Sequence, residues 1–292
     1  MEEEKPIVLD KVVKSSELEE IKYKVSANYL SNFMRKREYL EDTIKRMAFI
    51  PRYCYENLEY MNLLLYDEKI KGIFIPMVCF CDIPLHQIAY HAAGEKGYGK
   101  FGIALTKEWG KKNDLQNIHY VNEGSKFLKQ FENTMNMIIQ NLDQEKSKLF
   151  DTLSDSMLEH LQYMKPNYGT MKKEIDSQSK TIKKNFHDER EWRYIPRFNK
   201  QDLPQIIIEP KDSKLLAQEV NGKKLTNAIS EIPSSFLNFS VTDVKYIFVE
   251  TDKDRRAIID CILGIDEPTL SKDEKLILIS KIIVYSDFEE DI

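Results

Sequence analysis

The sequence predicts an α+β fold with mixed, mostly antiparallel sheets. Short apolar segments rich in β-branched residues recur along the chain, and segments with helical spacing lie between them. These elements do not alternate in a regular βαβ repeat, which favours an α+β fold over a doubly wound parallel sheet. The hydrophobic fraction of 42% in 292 residues is sufficient for a sizeable core. We expect residues 1–20 to be a flexible polar arm and residues 21–292 to form a single domain.

The first part of the chain predicts two helices and three strands. Leu40 and Ile44 recur at helical spacing, and Pro51 ends that pattern. Residues 73–81 are short and apolar, which indicates a buried strand, and Pro76 within them indicates an edge or a bulge. The predicted elements are a helix over 35–47, a strand over 73–81, a helix over 84–91, and strands over 100–105 and 117–121.

A segment almost free of glycine and proline, at about residues 124–165, predicts a helical hairpin inserted between strands. Its apolar residues recur at steps of three and four and usually pack internally, although such a hairpin could also offer a docking face. They are Phe127, Phe131, Met135, Ile138 and Leu142, continued by Leu149, Leu153, Leu158 and Leu161. The polar residues 165–183, which include Pro166 and Gly169, predict a flexible loop.

The last third of the chain returns to strand patterns and contains two further helices. Residues 253–263 are amphipathic, and the strand segments around them are short and apolar. The predicted strands are 191–195, 205–209, 236–241, 245–249 and 281–285, and the predicted helices are 253–263 and 271–279.

Composition restricts the compartment and the class of partner. The net charge of −5 argues against bulk nucleic-acid binding, which needs a net positive surface, but leaves room for a local basic groove. No apolar run has the length of a membrane span, and the acidic N-terminus does not resemble a secretion signal, so we expect no membrane association. Four cysteines in so long a chain indicate a reduced, cytoplasmic compartment.

Several residues that could carry chemistry have simpler structural interpretations. Cys79 and Cys81, even with the nearby histidines, do not match a zinc-binding spacing, so we predict buried thiols and no metal site. Asp82 precedes Pro84 and is expected to cap the following helix. His119 lies in an apolar segment and is expected to be a structural histidine.

Four stretches together resemble the AbiGi family of bacterial abortive-infection proteins. The motifs CFCDIPL and DEREWRY are the most specific parts of this likeness. The stretches are Phe49–Asn57, Pro76–Leu85, Tyr98–Trp109 and Asp188–Pro196. The resemblance implies a role in phage resistance, either as an effector or as the antitoxin of a toxin–antitoxin system with a partner protein from a neighbouring defence gene.

The layout also resembles, more distantly, an ADP-ribosyltransferase-like core, which implies an enzyme that uses NAD as substrate. Breaking the bond between nicotinamide and ribose passes through an oxocarbenium-like state and needs a carboxylate beside the ribose. The resemblance makes Glu189 and Glu191 the candidate catalytic carboxylates. The candidate NAD-binding residues are Asn32, Arg52, Tyr53, Arg190 and Arg193. Asn32 stands where such relatives have a histidine, and it cannot titrate.

The same residues also allow a non-catalytic interpretation. The segment EREWRY could form a salt-bridge lattice around a buried Trp192, and Arg52 could pair with Glu56 four residues on. Asn32, the acidic charge and the helical insert favour a partner-binding protein. The sequence therefore leaves two functions open: an NAD-dependent effector, and a non-catalytic antitoxin.

Overall fold

The computed structural model describes residues 26–92, 98–142, 144, 147–175, 178–198, 203–208 and 218–289. The predicted arm over residues 1–20 lies outside this part of the chain. The helices are α1 Arg37–Arg46, α2 Leu85–Ala92, α3 Lys107–Lys112, α4 Lys126–Asn141, α5 Lys148–Gln162, α6 Gln218–Ile229, α7 Asp252–Leu263, α8 Lys272–Ile279 and α9 Ser286–Glu289. The strands are β1 Tyr29–Met34, β2 Ala48–Phe49, β3 Arg52–Asn57, β4 Leu64–Leu65, β5 Glu68–Lys69, β6 Gly72–Cys81, β7 Phe101–Thr106, β8 Gln116–Asn117, β9 His119–Val121, β10 Met164–Pro166, β11 Tyr168–Ile175, β12 Gln178–Asn185, β13 Glu191–Tyr194, β14 Ile207–Ile208, β15 Leu237–Asn238, β16 Val244–Val249 and β17 Ile282–Val284.

Within these residues, one nine-stranded sheet dominates the fold. Its order is β17-β16-β7-β1-β6-β13-β8, and β3 and β14 pair with the remaining length of β6. All pairings in it are antiparallel except that of β16 with β17. The prediction of an α+β fold with mostly antiparallel strands is therefore confirmed. None of the helices in the described part of the chain is both long and apolar enough to cross a membrane.

Strand β6 organises the sheet, and it is an interior strand. Of the two predicted alternatives for Pro76, an edge or a bulge, the edge is wrong, because Phe74 pairs with both β3 and β14, and Cys81 pairs with both β1 and β13. Among the described residues, Pro76 has a register partner only on β3, where it lies opposite Tyr53. Proline has no backbone N–H to donate. It is tolerated at this position because the strand is paired on one side only, so no ladder hydrogen bond is lost.

The two faces of the sheet carry different layers. Side chains alternate between faces along a strand, and register partners share a face. We call the face of Cys79 and Cys81 the first face and that of Val78 and Phe80 the second face. The first face packs on α4 and α5 through Ile75, Met77 and their neighbours, whereas the second packs on α1, α7 and α8.

Helices α4 and α5 occupy the segment predicted to be a helical hairpin. Each begins at a serine whose hydroxyl accepts a hydrogen bond from a backbone amide, at Ser125 for α4 and Ser147 for α5. Of the predicted stripe, Phe131, Met135 and Ile138 are buried. Phe127 and Leu142 at the two ends of α4 are exposed instead, as are Leu149 and Leu153 on α5.

The prediction of a flexible loop over residues 165–183 is wrong. Strand β10 pairs in parallel with β9, and β11 and β12 form an antiparallel two-stranded ribbon with eight register pairs. Gly169 does not mark a loop. A side chain there would clash with Phe186, since a Cβ would lie 2.8 Å from its ring. Polar composition indicated a loop because a two-stranded ribbon has little apolar surface to bury.

Candidate functional site

The predicted catalytic carboxylates belong to a group of charged side chains buried beneath α5. We call this group the charge cluster. It contains three carboxylates and three cations and therefore has no net charge. Its members are Glu56, Lys165, Lys184, Glu189, Glu191 and Arg193.

Arg193 lies at the centre of the charge cluster and is completely buried, with 0% of its surface exposed. Its Nε lies 2.7 Å from Glu191 Oε1, and its Nη2 lies 2.9 Å from Glu56 Oε1. Its Nη1 donates to the backbone carbonyl of Gln162 at 2.6 Å. Arg193 thus joins β13 to β3 and to the C-terminal end of α5.

Lys165 on β10 bridges the two candidate catalytic carboxylates. Its Nζ lies 2.9 Å from Glu191 Oε2 and 3.3 Å from Glu189 Oε2. The same ammonium lies over the ring of Phe186, 4.8 Å from the ring centroid. Because an ammonium has only three donors, these contacts leave Lys165 little capacity for another ligand.

Glu189 is enclosed from its other side by β12 and by Tyr98. Lys184 Nζ lies 2.5 Å from Glu189 Oε1, and the Tyr98 hydroxyl donates to the same oxygen. Lys184 also donates to the Tyr98 hydroxyl at 2.6 Å. Both oxygens of Glu189 are therefore occupied by partners within the protein.

The local backbone explains how the two carboxylates reach the same cation. Glu189 ends a 3₁₀ turn, Phe186–Glu189, and Arg190 then adopts a left-handed conformation with φ of 43° before β13 begins. Glu189 lies outside the strand, and Glu191 is the first residue of β13. The turn, and not the pleat, brings Glu189 beside Glu191. The carbonyl of Arg190 accepts a hydrogen bond from the amide of Asp82 at 3.1 Å.

The electrostatics of the charge cluster favour the ionised forms of Glu189, Glu191 and Lys165. Burial alone would raise the pKa of Glu191, but Arg193 and Lys165 outweigh burial and hold that pKa well below its usual value. Burial likewise acts to raise the pKa of Glu189, and Lys165 and Lys184 lower it overall. Burial alone would lower the pKa of Lys165, but Glu191, Glu56 and Glu189 raise it well above its usual value. At neutral pH none of these groups is poised to exchange a proton.

The structure places two of the other predicted site residues, Asn32 and Tyr53, on the opposite face of the sheet from this cluster. Glu191 and Arg193 are register partners of Cys81 and Cys79 and lie on the first face. Tyr53 is the partner of Pro76, and Asn32 follows the partner of Cys81, so both lie on the second face. The strands do not bring them into one open hollow.

Each of these remaining residues has its own environment. Asn32 Nδ2 donates to the carbonyl of Cys79 at 2.8 Å, which ties β1 to β6. Tyr53 is buried, and its hydroxyl donates to the carbonyl of Pro204. Arg52 is exposed, and the predicted pair with Glu56 is wrong because Glu56 lies on a strand and binds Arg193. Their proposed roles in NAD binding stay predictions.

Asp82 is buried in an ion pair and does not cap α2 as predicted. Its Oδ2 lies 2.6 Å from Lys107 Nζ, and its Oδ1 accepts from the amide of Ala27 at 2.7 Å. Cys79 is partly buried and Cys81 buried, both as free thiols, and burial raises the pKa of each. No set of three histidine, cysteine or carboxylate side chains within the described residues could hold a metal ion.

An open hollow of about 600 Å³ lies next to the charge cluster, between β9, the start of α4 and the base of the ribbon. His119 and His187 line it, and both are exposed, so the prediction of a buried structural His119 is wrong. Tyr120 separates the hollow from the cluster, since its ring contacts His187 and its hydroxyl accepts from the Glu191 amide at 2.9 Å.

Sequence reasoning missed Lys165, Lys184 and Tyr98 as members of the site. Lys165 was assigned to the predicted loop over residues 165–183, where charged residues are usually solvated, and Lys184 lies one residue beyond that loop. One signal was available. A buried carboxylate without a cation costs folding free energy, so two buried carboxylates predict cations on the neighbouring strands. Nothing in the sequence showed which of the many lysines would supply them.

Comparison with known proteins identifies the family. The family model described as "Putative abortive phage resistance protein AbiGi, antitoxin" matches residues 47–250. The chain belongs to the AbiGi family. It is an anti-phage defence protein of the AbiGi type. The "Abortive phage resistance protein AbiGi" of Lactococcus lactis subsp. cremoris is 41% identical over 252 residues, which cover 84% of this chain and 100% of that protein.

The matched region includes the strands that carry the charge cluster. Glu56, Lys165 and Arg193 all lie inside the AbiGi match over residues 47–250. No solved structure matches the chain. The comparisons support the AbiGi assignment and give no support to an ADP-ribosyltransferase-like core.

Proposed function

We propose that this AbiGi protein acts as the antitoxin of a two-gene defence system and binds a partner protein instead of catalysing a reaction. The description of the family as an antitoxin supports this proposal. The observation that carries it is an exposed apolar patch on the helical hairpin, on the side of the molecule where the sequence also predicted a docking face.

Four exposed apolar residues of the hairpin lie near the connection between α4 and α5, whereas the exposed Phe127 lies at the other end of α4. We call these four the hairpin-tip patch: Met137, Leu142, Leu149 and Leu153, with exposed fractions of 66%, 49%, 79% and 46%. Leu142 immediately follows α4 and Leu149 lies in the first turn of α5, so connectivity holds them close together. Exposed clusters of large apolar side chains commonly mark protein interaction sites.

The inner face of the same hairpin is already used by the fold. Leu128, Phe131 and Met135 are buried against β6. The hairpin is thus anchored by one face, while the hairpin-tip patch has no apolar cover within the described residues. A partner helix or groove could bury it through a helix-in-groove contact.

Co-expression with the product of the adjacent gene tests this proposal. We expect a tagged AbiGi chain to co-purify with that product and to suppress its toxicity. The double variant Leu149→Asp/Leu153→Asp should lose both properties. The matched control is Leu263→Asp/Leu276→Asp. Leu263 on α7 and Leu276 on α8 are 52% and 53% exposed, and this variant should still co-purify and suppress toxicity. If the wild-type chain neither co-purifies with that product nor changes its toxicity, the antitoxin proposal is refuted.

The competing proposal is an ADP-ribosyltransferase-like effector with NAD as substrate. It requires a carboxylate that faces an open site, whereas Glu189 and Glu191 are 6% and 5% exposed and bind cations of the protein. Incubation with NAD and measurement of nicotinamide release separates the two. We expect equal background release from the wild type and Glu191→Gln. If the wild type releases nicotinamide above background and Glu191→Gln does not, the result favours the ADP-ribosyltransferase-like effector.

A further inference from the structure

The ribbon formed by β11 and β12 concentrates positive charge in an otherwise acidic chain. Its two strands carry five lysines against one glutamate, whereas the net charge of the whole chain is −5. Each strand has eight residues, so the ribbon is on the order of 25 Å long. Local charge of this kind can bind a polyanion even when the whole protein is acidic.

The sequence of the ribbon offers its lysines few carboxylates, since Glu174 is the one acidic residue in the two strands. Lys173 and Lys180 are register partners, so two like charges are placed directly opposite each other. Such a cross-strand pair is unfavourable for folding. Lys184 is paired with Glu189 in the charge cluster, but the exposed Lys183 beside it forms no ion pair with the side chains that the structure describes. An anionic ligand would relieve this repulsion.

The base of the ribbon is fixed to the body of the protein. The amide of Asn167 donates to the carbonyl of Val121 at 2.9 Å, and the amide of Phe186 donates to the carbonyl of Asn167 at 2.8 Å. Lys184 anchors β12 through Glu189. The base of the ribbon therefore has a defined position beside the body of the protein.

At this base lies the hollow of about 600 Å³ that His119 and His187 line. Phe127 also lines it and is 62% exposed. Tyr168, which directly follows the lining residue Asn167, is 71% exposed. The hollow therefore combines one exposed aromatic ring, that of Phe127, with the amide side chains of Asn167 and its hydrogen-bond partner Asn122, at 2.6 Å, while the exposed Tyr168 begins the adjoining strand β11.

We propose that the ribbon and the adjoining hollow bind single-stranded nucleic acid. Lysines that follow a backbone and aromatic rings that stack on bases are the two features by which proteins hold single strands. The hollow can accept a base only if that base is not stacked in a duplex. An acidic segment of a protein would use the lysines but would have no need of the exposed rings.

Fluorescence anisotropy with the full-length protein tests this inference. The probes are labelled oligouridine and oligothymidine of roughly 12 nucleotides, a duplex of the same length, and polyglutamate as a competitor. We expect both single strands to bind more tightly than the duplex and polyglutamate to compete poorly. Affinity should fall with salt, with a log–log slope of about −0.7 for each lysine engaged. A preference between the two single strands would assign the ligand to RNA or to DNA.

Two variants with matched controls locate the site. Lys172→Glu/Lys173→Glu should weaken binding about tenfold or more, and Phe127→Ala several-fold. Lys253→Glu/Lys272→Glu makes the same charge change at the opposite end of the sheet, and Leu149→Ala makes a similar truncation at the far end of the hairpin; both should bind like the wild type. The inference is overturned if the protein does not bind at low salt or if it binds the duplex more tightly than the single strands. It is also overturned if polyglutamate competes as well as an unlabelled single strand, or if the control variants lose as much affinity as the test variants.

Discussion

Apart from Glu56, the charge cluster and the ribbon take their charged residues from one stretch, residues 165–193, yet the two regions have different environments. In the cluster, Arg193 and Lys165 are buried and each binds carboxylates within hydrogen-bonding distance. In the ribbon, Lys173 lies opposite Lys180, another cation. Charges that are neutralised inside the protein stabilise its architecture, whereas we propose that the lysine-rich ribbon binds a ligand.

This difference also explains why the EREWRY segment resembles a catalytic motif. A catalytic carboxylate and a structural one both require nearby cations, so their sequence patterns coincide. Burial and pairing separate them, because a catalytic group needs an open side toward its substrate. The carboxylates of Glu189 and Glu191 have internal partners on both oxygens.

The largest expected effect comes from removing the central cation of the charge cluster. Arg193→Met would leave Glu56 without its cation and Glu191 with only Lys165, so the free energy of unfolding should fall by about 3–5 kcal/mol. Thermal or urea unfolding measures this. The control Arg197→Met removes a pair with Glu159 whose side chains are 77% and 51% exposed, and it should change stability little. Equal effects of the two variants would contradict the distinction between buried and exposed charges.

The next effect is a dependence of stability on acid pH. The pKa of Glu191 and that of Glu189 are lowered in the folded protein by the neighbouring cations, so both groups bind fewer protons folded than unfolded in the acid range. Their stabilisation is complete above about pH 5 and is lost as the pH falls toward the lowered pKa values. Urea unfolding measured from neutral pH down to about pH 3 should show this loss. Glu191→Gln should be less stable at neutral pH and should lose less on acidification; an unchanged slope would count against the assignment.

A smaller effect is expected where the ribbon joins the cluster. Gly169→Ala would place a Cβ 2.8 Å from the ring of Phe186, whose other side contacts Lys165. We expect a loss of about 1–3 kcal/mol in the free energy of unfolding, as for other overpacked sites. Gly124→Asn is the control, since a Cβ there meets nothing within 4 Å and asparagine tolerates its φ of 73°. A harmless Gly169→Ala would show that the base of the ribbon is not fixed as described.

The smallest effect concerns the lysines of the ribbon themselves. Lys173→Glu replaces a like-charge cross-strand pair with an opposite-charge pair, so stability should rise slightly, by about 0.2–1 kcal/mol. The same unfolding assay measures it, with Lys172→Glu as the control because its register partner is Thr181. A large destabilisation by Lys173→Glu would mean that this lysine is neutralised within the protein.

The sequence predicted the regular elements that have strong apolar periodicity. Helices α1, α4, α5, α7 and α8 and strands β6, β7, β13 and β16 lie where their patterns placed them, because one buried face determines each pattern. The ribbon was missed because it has little buried apolar face. The short strands β14 and β15 extend over fewer residues than their patterns suggested.

The candidate site was only half predictable. The sequence correctly selected Glu189, Glu191 and Arg193 as members of one group and offered a salt-bridge lattice as one interpretation. It could not supply Lys165 or Lys184, because these enter through β10 and β12 from distant positions. It also grouped Asn32 and Tyr53 with the carboxylates, whereas the register of β6 places them on the other face.

The most direct test of a structural charge cluster compares folding with defence activity in the isosteric variant Glu191→Gln. The melting temperature and the protection against phage are measured together, with protection assayed at a temperature at which the variant remains folded. We predict a clear drop in the melting temperature with protection retained under those conditions. An unchanged melting temperature with protection abolished would contradict this account and would make Glu191 a functional carboxylate.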